Sequence, residues 1–488
     1  MTASADQEAE LKLNLAHEDA DRLEAAGLFP GEPRMIRQHA IYFDTPGRAL
    51  SEAGLSLRIR KEGKGDAVRR VQTVKADGKA AGLFIRPEWE RPVADDTPVI
   101  DHTTPIPALL GETPGDIAPV FTVENTRLVW LHEGIEITLD RSRIAASERE
   151  IAFCEIELEL KHGDASALFA LAHRIAEIVP VRLGIASKAE RGYRLLAPVA
   201  SASKAHRIAL DSKMTAAEAF QAIAADCLHH FRRNEPLVLD HRDSAALHQV
   251  RVAIRRLRSA LTVFKAMLDE HTRRALNGEL RWLARRLGQA RELDVLIKRA
   301  APGVLRDRLL AAQERAYDAA LEALDSHRTR LLMLRIAEWT STGGWRSEAE
   351  GRDIRETPAR EFAAGVLDRF RRKVKKSGRK LDKLDDHTRH EVRKTAKKLR
   401  YAVDFFAALF PEKREKRRRK RFVSALEELQ DRLGALNDLA GAPRLLAELD
   451  LLDIPGAADL SGKAHKAKLL EQAAEAYENF VDAKRFWR

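Results

Sequence analysis

The sequence predicts a two-domain α+β chain: antiparallel strands over roughly the first 200 residues, then an all-helical domain. Two changes at one place carry this reading. Up to about residue 200 apolar side chains recur every second residue, and beyond it they recur with helical spacing in an Ala-, Leu- and Arg-rich chain. Charge changes there too: residues 1–200 hold 25 Lys+Arg against 32 Asp+Glu, net −7, and the remainder 60 against 42, net +18. An acidic strand domain, expected over 5–203, is therefore joined to a basic helical domain over 212–485, with SASKAHRIAL (201–210) read as linker. A strongly basic half raises the expectation of a polyanionic partner.

Composition removes several classes. The 488 residues, 33% charged and 44% hydrophobic, suffice for two or three cores. Two cysteines, Cys154 and Cys227, lie far apart without metal-ligand neighbours, which excludes a disulfide framework and a thiolate zinc site. The polar, acidic start and the lack of a run of ~18 apolar residues argue against export and membrane insertion, so the expected location is cytoplasmic. Oligomeric state is left open.

In the first domain Leu11, Leu13 and Leu15 alternate with Glu10, Lys12 and Asn14; Leu55, Leu57 and Ile59 with Ser56, Arg58 and Arg60; Ile135, Ile137 and Leu139 with Glu136, Thr138 and Asp140. Each strand thus has an apolar and a charged face. Glu8, Glu10 and Lys12 share one side, as do Glu155, Glu157, Glu159 and Lys161. The plain alternative is a solvated outer face. Against it, cationic strands bearing Arg58, Arg60, Lys75 and Arg127 balance the acidic ones, and the two kinds meet only if the sheet curls into a barrel with its charged face inward. Carboxylates two apart on a strand suit Mg²⁺ or Mn²⁺, and Arg and Lys clamp phosphate oxygens, so the combination fits a metal–polyphosphate complex. Arg37, His39 and Arg69 line a tunnel mouth or lie on the surface. Trp89 and Trp130 are core or a base platform. GKGDAVRR (63–70) is a hairpin turn rather than a phosphate loop.

Six motifs in order, EAELK (8–12), YFDT (42–45), LSLRIR (55–60), QTVK (72–75), EIELELK (155–161) and SKAERGY (187–193), resemble the CYTH family of triphosphate tunnel metalloenzymes over roughly residues 5–200. The resemblance implies an eight-stranded antiparallel tunnel with flanking helices, a divalent metal and chemistry at a triphosphate. It places metal ligands at Glu8, Glu10, Glu155, Glu157 and Glu159, and phosphate-binding cations at Lys12, Arg58, Arg60, Lys75, Arg127 and Lys188. Water is the expected attacker, oriented by the metal, by a carboxylate, or by Tyr42 with Lys12, whose pKa a cationic neighbourhood would lower; Tyr42 is equally a packing aromatic. Members of the family include adenylate cyclases and thiamine, messenger RNA capping and inorganic triphosphatases.

The second domain contains a repeat. HQVRVAIRRLR (248–258) aligns without gaps on HEVRKTAKKLR (390–400), an offset of 142. In each copy polar residues at i, i+3, i+7 and i+10 form one stripe, while Val250, Ile254, Leu257, Leu261 and Phe264 match Val392, Ala396, Leu399, Val403 and Phe406 on the other. Leu287-Gly288 and Leu433-Gly434 also correspond. A duplicated helical bundle with pseudo-two-fold symmetry and facing basic helices follows. No acidic residue interrupts either cationic stripe, which favours a ligand over a solvated face.

This repeat resembles the CHAD domain, a conserved histidine alpha-helical domain often found after a CYTH domain, over approximately 212–480. Such domains are implicated in binding inorganic polyphosphate. The resemblance assigns contacts to His248, Arg251, Arg255, Arg258, His390, Arg393, Lys397 and Arg400, with Arg256 and Lys398 at the flank; the histidines are ligands or structural. KREKRRRKR (413–421) lies outside the repeat and reads first as a solvated helix face. The expectation is a Mg²⁺- or Mn²⁺-dependent inorganic triphosphatase that binds polyphosphate and associates with polyphosphate granules. The alternatives are an organic-triphosphate enzyme and a non-catalytic polyphosphate- or nucleic-acid-binding protein.

Overall fold

The computed structural model describes residues 9–63, 68–76, 83–84, 87–110, 117–196, 201–461 and 466–488, so Glu8 and half of GKGDAVRR, residues 64–67, lie outside the described residues. The chain packs as two compact units, Met1–Ser201 with His327–Gly343, and Ala202–Ser326 with Gly344–Arg488.

The first unit contains strands β1 (Ala9–Leu15), β2 (Arg34–Asp44), β3 (Leu55–Glu62), β4 (Arg69–Ala76), β5 (Leu83–Phe84), β6 (Glu88–Pro92), β7 (Ala118–His132), β8 (Ile135–Ala146), β9 (Arg149–Leu160) and β10 (Arg182–Leu183). Its helices are α1 (His17–Ala25), α2 (Ala49–Glu52), α3 (Ile106–Leu110), α4 (Ser166–Ile178) and α5 (Lys188–Leu195). The sheet is antiparallel, in the order β10-β1-β9-β8-β7-β2-β3-β4-β6, with β5 also on β1. The expected closed ring of eight strands is thus corrected to a ten-stranded sheet whose path is open: among the described residues no ladder joins β6 to β1. Curvature nevertheless brings the ends of the path together, because Glu10 on β1 acts electrostatically on Lys75 of β4.

Residues paired directly across an antiparallel ladder project to the same side. Following Asn14↔Glu155↔Asp140↔Arg127, Ser142↔Asn125↔Gln38↔Glu62 and Tyr42↔Arg58↔Thr73↔Glu90 from strand to strand therefore traces a single face. It carries nearly every charged candidate. The other face is apolar: Leu11, Ile137, Ile156, Leu158, Leu57, Ile59 and Val74 are fully buried, in part beneath α2, α3 and α4. The solvated-face alternative fails on burial, since Asp140 and Glu155 on the charged face are 0% exposed and Lys12 6%.

The second unit holds α6 (Ala216–His241), α7 (Ser244–Val263), α8 (Glu270–Arg286), α9 (Gly288–Ile297), α10 (Val304–Asp325), α12 (Arg352–Glu356), α13 (Ala359–Ser377), α14 (Asp386–Phe405), α15 (Lys413–Glu448), α16 (Ala457–Ser461) and α17 (Lys466–Asp482). The helical segment expected over 304–337 breaks at Ser326, where the backbone turns extended, and its second part, α11 (His327–Thr342), packs in the first unit against α4 and β10. Helix α11 buries Leu332, Met333, Leu334, Ile336, Ala337 and Trp339. Residues 201–210 carry no helix or strand, yet they are not a free linker: the Ser203 N–H donates to Asn234 Oδ1 at 2.8 Å, and Ile208 and Leu210 are buried.

Helices α7 and α14 are equivalent in detail. Each has 20 residues, begins at an aspartate that caps its first turn (Asp243 accepting from the Ala246 N–H, Asp385 from the Thr388 N–H), and ends at a phenylalanine, Phe264 or Phe406, before a 3₁₀ turn. The starts of α6 and α13 contact each other reciprocally: the Ala216 N–H donates to the Thr357 carbonyl at 2.9 Å and the Ala359 N–H to the Met214 carbonyl at 2.8 Å.

Candidate active site and polyanion face

On the strand unit's charged face, Asp140, Glu155 and Glu157 each direct a carboxylate oxygen so that the three lie within 4.8 Å of one another. Three cations converge on them. Lys188 donates to Asp140 Oδ2 at 2.8 Å, to Glu155, and to Glu157 Oε1 at 3.4 Å. Arg127 forks onto Asp140 at 2.7 and 2.6 Å and reaches Glu157 Oε2 at 2.6 Å. Lys12 donates to Glu157 and lies 3.3 Å from Glu10. Burial opposes the Lys12, Arg127 and Lys188 charges, yet the surrounding carboxylates hold all three above their ordinary values. Burial likewise opposes the Glu157 charge, but Lys12, Lys188 and Arg127 hold that carboxyl well below the usual carboxylate range. Glu155 Oε2 is buried without a hydrogen-bond partner, an exception to the general pairing of buried polar atoms.

Farther round the face the cations are less compensated. Lys75 pairs with Glu88 at 2.6 Å, but burial and then Arg58 push its ammonium down. Arg60 lies 2.9 Å from Glu62, and Arg58 donates to the Tyr42 hydroxyl at 3.4 Å. A neutral ladder crosses the same face: Ser142 Oγ donates to Asn125 Oδ1 (3.0 Å), Asn125 Nδ2 to Gln38 Oε1 (3.1 Å), and Gln38 Nε2 to Glu62 Oε1 (2.8 Å).

Apolar side chains close one end of the face. Tyr42 and Phe121 stack at 4.5 Å and pack with Val123, Ile144 and Ala189 beneath α5. Here SKAERGY becomes physically intelligible. Ser187 caps the helix, Lys188 enters the carboxylates, and the Tyr193 hydroxyl donates to Asp44 of YFDT, which itself caps α2. Gly192 is required by contact, since a Cβ there would lie 2.3 Å from the Phe121 ring.

In the helical unit the cations face one another. Around His248 lie Arg291, Arg255, Arg251 and Lys397, and burial followed by these charges pushes the imidazole down to about 4. Burial and then Arg393 and Arg255 push Lys397 down to about 7, with Asp438 opposing. Arg251 falls to about 10 from burial and Arg255, and donates to the Ala284 carbonyl at 2.9 Å. The two glycines matched in the sequence each sit beside the equivalent arginine: a Cβ on Gly288 would lie 3.2 Å from Arg251 Nη1, and one on Gly434 4.0 Å from Arg393 Nη2.

Family models match both units: CYTH domain over residues 6–193 and CHAD domain over 222–447. The chain carries a CYTH domain joined to a CHAD domain. It is 34% identical over 166 residues to the inorganic triphosphatase of Haemophilus influenzae, covering 32% of this chain and 44% of that one. It is also 30% identical over 177 residues to an uncharacterized protein of Mycobacterium tuberculosis, covering 32% and 33%. The chain therefore spans less than half the length of these curated relatives. The crystal structure of the CHAD domain from the plant Ricinus communis matches with TM-score 0.48 and 30% identity, covering 58% of this chain and 98% of that one.

The CYTH domain brings Glu10, Lys12, Arg127, Glu155, Glu157 and Lys188 together, with Arg58, Arg60 and Lys75 on the same face and Glu159 paired in register with Glu10. Lys12 is not the base of lowered pKa the sequence led us to expect, because its nearest charges are carboxylates. Trp130 packs on Phe29 at 5.1 Å and Trp89 against the Leu57 and Val74 core, so neither offers a base platform on the charged face. Arg37 is exposed on the opposite side, His39 shares that side, and Arg69 is exposed at the edge of β4. Asp140 went unrecognised: a single aspartate in ITLDRS carries no local signal, and only register with Glu155 and Arg127 reveals it.

In the CHAD domain Arg251, Arg255, Arg393, Lys397 and His248 cluster. His390 bonds Asn437 Oδ1 at 2.6 Å, Arg258 donates to Asn277 Oδ1 at 3.0 Å, and Lys398 lies near Lys373, Lys394 and Arg258. Arg256 leaves the ligand set, being 3% exposed, 3.0 Å from Asp226 and over the Phe405 ring. Arg400 is also compensated, by Glu427 at 2.6 Å and Asp404 at 3.3 Å. Residues 413–421 open α15, where Arg419 bonds the Ala407 carbonyl. Among the described residues no helix is long and apolar enough to cross a membrane.

Proposed function

We propose that the CYTH domain hydrolyses inorganic tripolyphosphate to diphosphate and phosphate with Mg²⁺ or Mn²⁺, and that the CHAD domain binds long-chain polyphosphate. The observation that carries the first half is the Asp140, Glu155 and Glu157 trio, within 4.8 Å and with the unpartnered Glu155 Oε2, on the face that also bears the cations. Hard carboxylate oxygens so placed fit a small divalent cation, and Glu10 and Glu159 extend the acidic side. A divalent cation there supplies charge neutralisation at phosphate oxygens. Lys12, Arg127 and Lys188, now tied to the same carboxylates, turn to phosphate when those carboxylates are otherwise engaged, and Arg58, Arg60 and Lys75 hold the chain from across the face. Water adds to a terminal phosphorus, the phosphoanhydride P–O bond breaks, and diphosphate departs. Tyr42, stacked and hydrogen-bonded by Arg58, positions that guanidinium. An inorganic substrate is favoured because the aromatic rings on this face are already engaged, Tyr42 and Phe121 buried against each other and Phe153 beneath the Arg191 guanidinium.

For the CHAD domain the support is a cluster of cations whose mutual repulsion a polyanion relieves. The equivalence of α7 and α14 and the reciprocal contacts of α6 and α13 support a pseudo-two-fold axis through it. A cytoplasmic, granule-associated location follows from this reading.

The test is phosphate release from tripolyphosphate, thiamine triphosphate, ATP, 5′-triphosphorylated RNA and long-chain polyphosphate, with and without Mg²⁺ or Mn²⁺. Metal-dependent release preferring tripolyphosphate is expected. A tenfold preference for an organic triphosphate overturns the substrate, and no release from any of them overturns the activity.

A further inference from the structure

We propose that Arg191, on α5, is a phosphate-binding residue of the CYTH site, engaging the end of the substrate that reaches the plugged end of the charged face. The inference rests on the triphosphatase reading above.

Arg191 lies one turn beyond Lys188, the residue through which α5 enters the carboxylate cluster. Its guanidinium stacks over the Phe153 ring, 4.3 Å from the centroid. Phe153 pairs in register with Ser142 and precedes Glu155 by two on β9, so the ring belongs to the charged face, one step from the trio toward the plug. The guanidinium is therefore oriented by a flat apolar surface. Its Nε is buried and has no hydrogen-bond partner, and the guanidinium forms no ion pair with any described residue. Lys12, Lys75, Arg60, Arg127 and Lys188 all have a carboxylate within salt-bridge distance; among the described residues Arg191 and Arg58 do not. Burial pushes the Arg191 guanidinium down, with Glu155 opposing and its helix neighbour Arg194 adding to the effect.

A half-buried guanidinium held in place and left unpaired is costly unless an anion completes it. The missing partner has the chemistry of phosphate oxygens, which a guanidinium fork accepts in bidentate fashion. Phosphate is also what the adjoining face is built to admit. Arg58, on the other side of the Tyr42–Phe121 pair, likewise forms no ion pair among the described residues and has a buried Nε without a partner, though it donates to the Tyr42 hydroxyl, so two guanidiniums without a carboxylate partner lie at the plugged end, where a chain terminus stops.

The experiment compares full-length wild type with Arg191→Gln, Arg191→Lys and the control Arg194→Gln, which removes an exposed residue paired to Glu190. Two readouts are taken: KM and kcat for tripolyphosphate with metal, and the thermal shift induced by tripolyphosphate in EDTA. Arg191→Gln should raise KM on the order of tenfold, more than it lowers kcat, and shrink the thermal shift, with Arg191→Lys recovering part of both and Arg194→Gln matching wild type. Unchanged KM and thermal shift in Arg191→Gln, with wild type active, overturn the assignment alone. So does a fall in thermal midpoint equal with and without ligand at constant KM, the mark of a packing role. A wild type that neither hydrolyses tripolyphosphate nor is stabilised by it overturns the triphosphatase reading and this inference together.

Discussion

The two units gather cations in opposite ways. In the CYTH domain Lys12, Arg127 and Lys188 interleave with Glu10, Asp140, Glu155 and Glu157, and every one of these cations is held above its ordinary pKa despite burial. In the CHAD domain His248, Arg251 and Lys397 are pushed down, first by burial and then by neighbouring charges that are chiefly other cations. An interleaved site is neutral until something separates its two signs, which is the role open to a divalent cation arriving with phosphate. A site of like charges needs only the polyanion, at a strength that salt and pH control.

The largest expected effect breaks the first half of this contrast. Glu157→Gln removes the carboxylate shared by Lys12, Arg127 and Lys188, so kcat/KM for tripolyphosphate should fall by roughly 10²–10³, as when a charge-stabilising group is lost. The same variant should bind tripolyphosphate more tightly in EDTA than wild type does, because an internal competitor for three cations is gone. Calorimetry in EDTA beside a phosphate-release assay checks both, and weaker binding together with lost turnover would mean the variant disrupts folding rather than pairing. Chelation sharpens the contrast: EDTA should abolish release while leaving long-chain polyphosphate retained on the full chain. Raising salt from 50 to 200 mM should weaken that retention by tenfold or more, on the order of the counterion-release effect.

A truncation at residue 212 is a poor way to separate the activities, because it also removes α11, which packs on α4 and β10. The sequence shows why this was hidden: residues 304–337 have one continuous helical periodicity, and the part beyond Ser326 packs on α4 and β10, far away in the chain. What could be read directly was whatever repeats locally, namely strand alternation, the order of six motifs, and the matched HxxR stripes with their trailing Leu-Gly pairs. What could not be read depends on register or on partners from other elements. Asp140 needs Arg127 and Glu155 beside it, Arg256 is neutralised by Asp226 of α6, and Lys12 bonds Glu157 from 145 residues away. The neutral ladder Ser142–Asn125–Gln38 was invisible for the same reason, since each member lies alone on its own strand.

The pH dependence of the helical site tests the like-charge half. Lys397, held at about 7 by burial and by Arg393, Arg255 and Arg251, with His248 beside it and Asp438 opposing, is increasingly neutral above that pH in the free protein. A bound polyanion raises its pKa, so binding above pH 7 takes up a proton. Affinity is then fullest below about 7 and declines as pH rises from 7 to 9, by at most ~10-fold per unit for one proton. Lys397→Arg, charged throughout, should flatten the profile and abolish the buffer dependence of the binding enthalpy. A wild-type profile already flat over this range would remove Lys397 from the site.

The smallest effect lies between the two copies of the sequence repeat. Gly288 and Gly434 correspond in sequence, but the space beside them does not: a Cβ at 288 meets Arg251 Nη1 at 3.2 Å, whereas at 434 Arg393 Nη2 stands at 4.0 Å. Gly288 opens α9, and Gly434 lies inside α15, where alanine should add ~0.5–1 kcal/mol from helix propensity. Gly434→Ala should therefore stabilise the protein and leave polyphosphate affinity unchanged. Gly288→Ala gains little from propensity at a first helical position and displaces a guanidinium that now donates to the Ala284 carbonyl. The obstacle is the far end of a flexible side chain, so folding survives. Affinity should drop a few-fold through Arg251 alone, with thermal midpoints of the two variants and their binding isotherms as the measurement. Equal affinities in both would mean that Arg251 holds α8 to α7 and takes no part in the ligand's neutralisation, which would leave the polyanion to Arg255, Arg393 and Lys397.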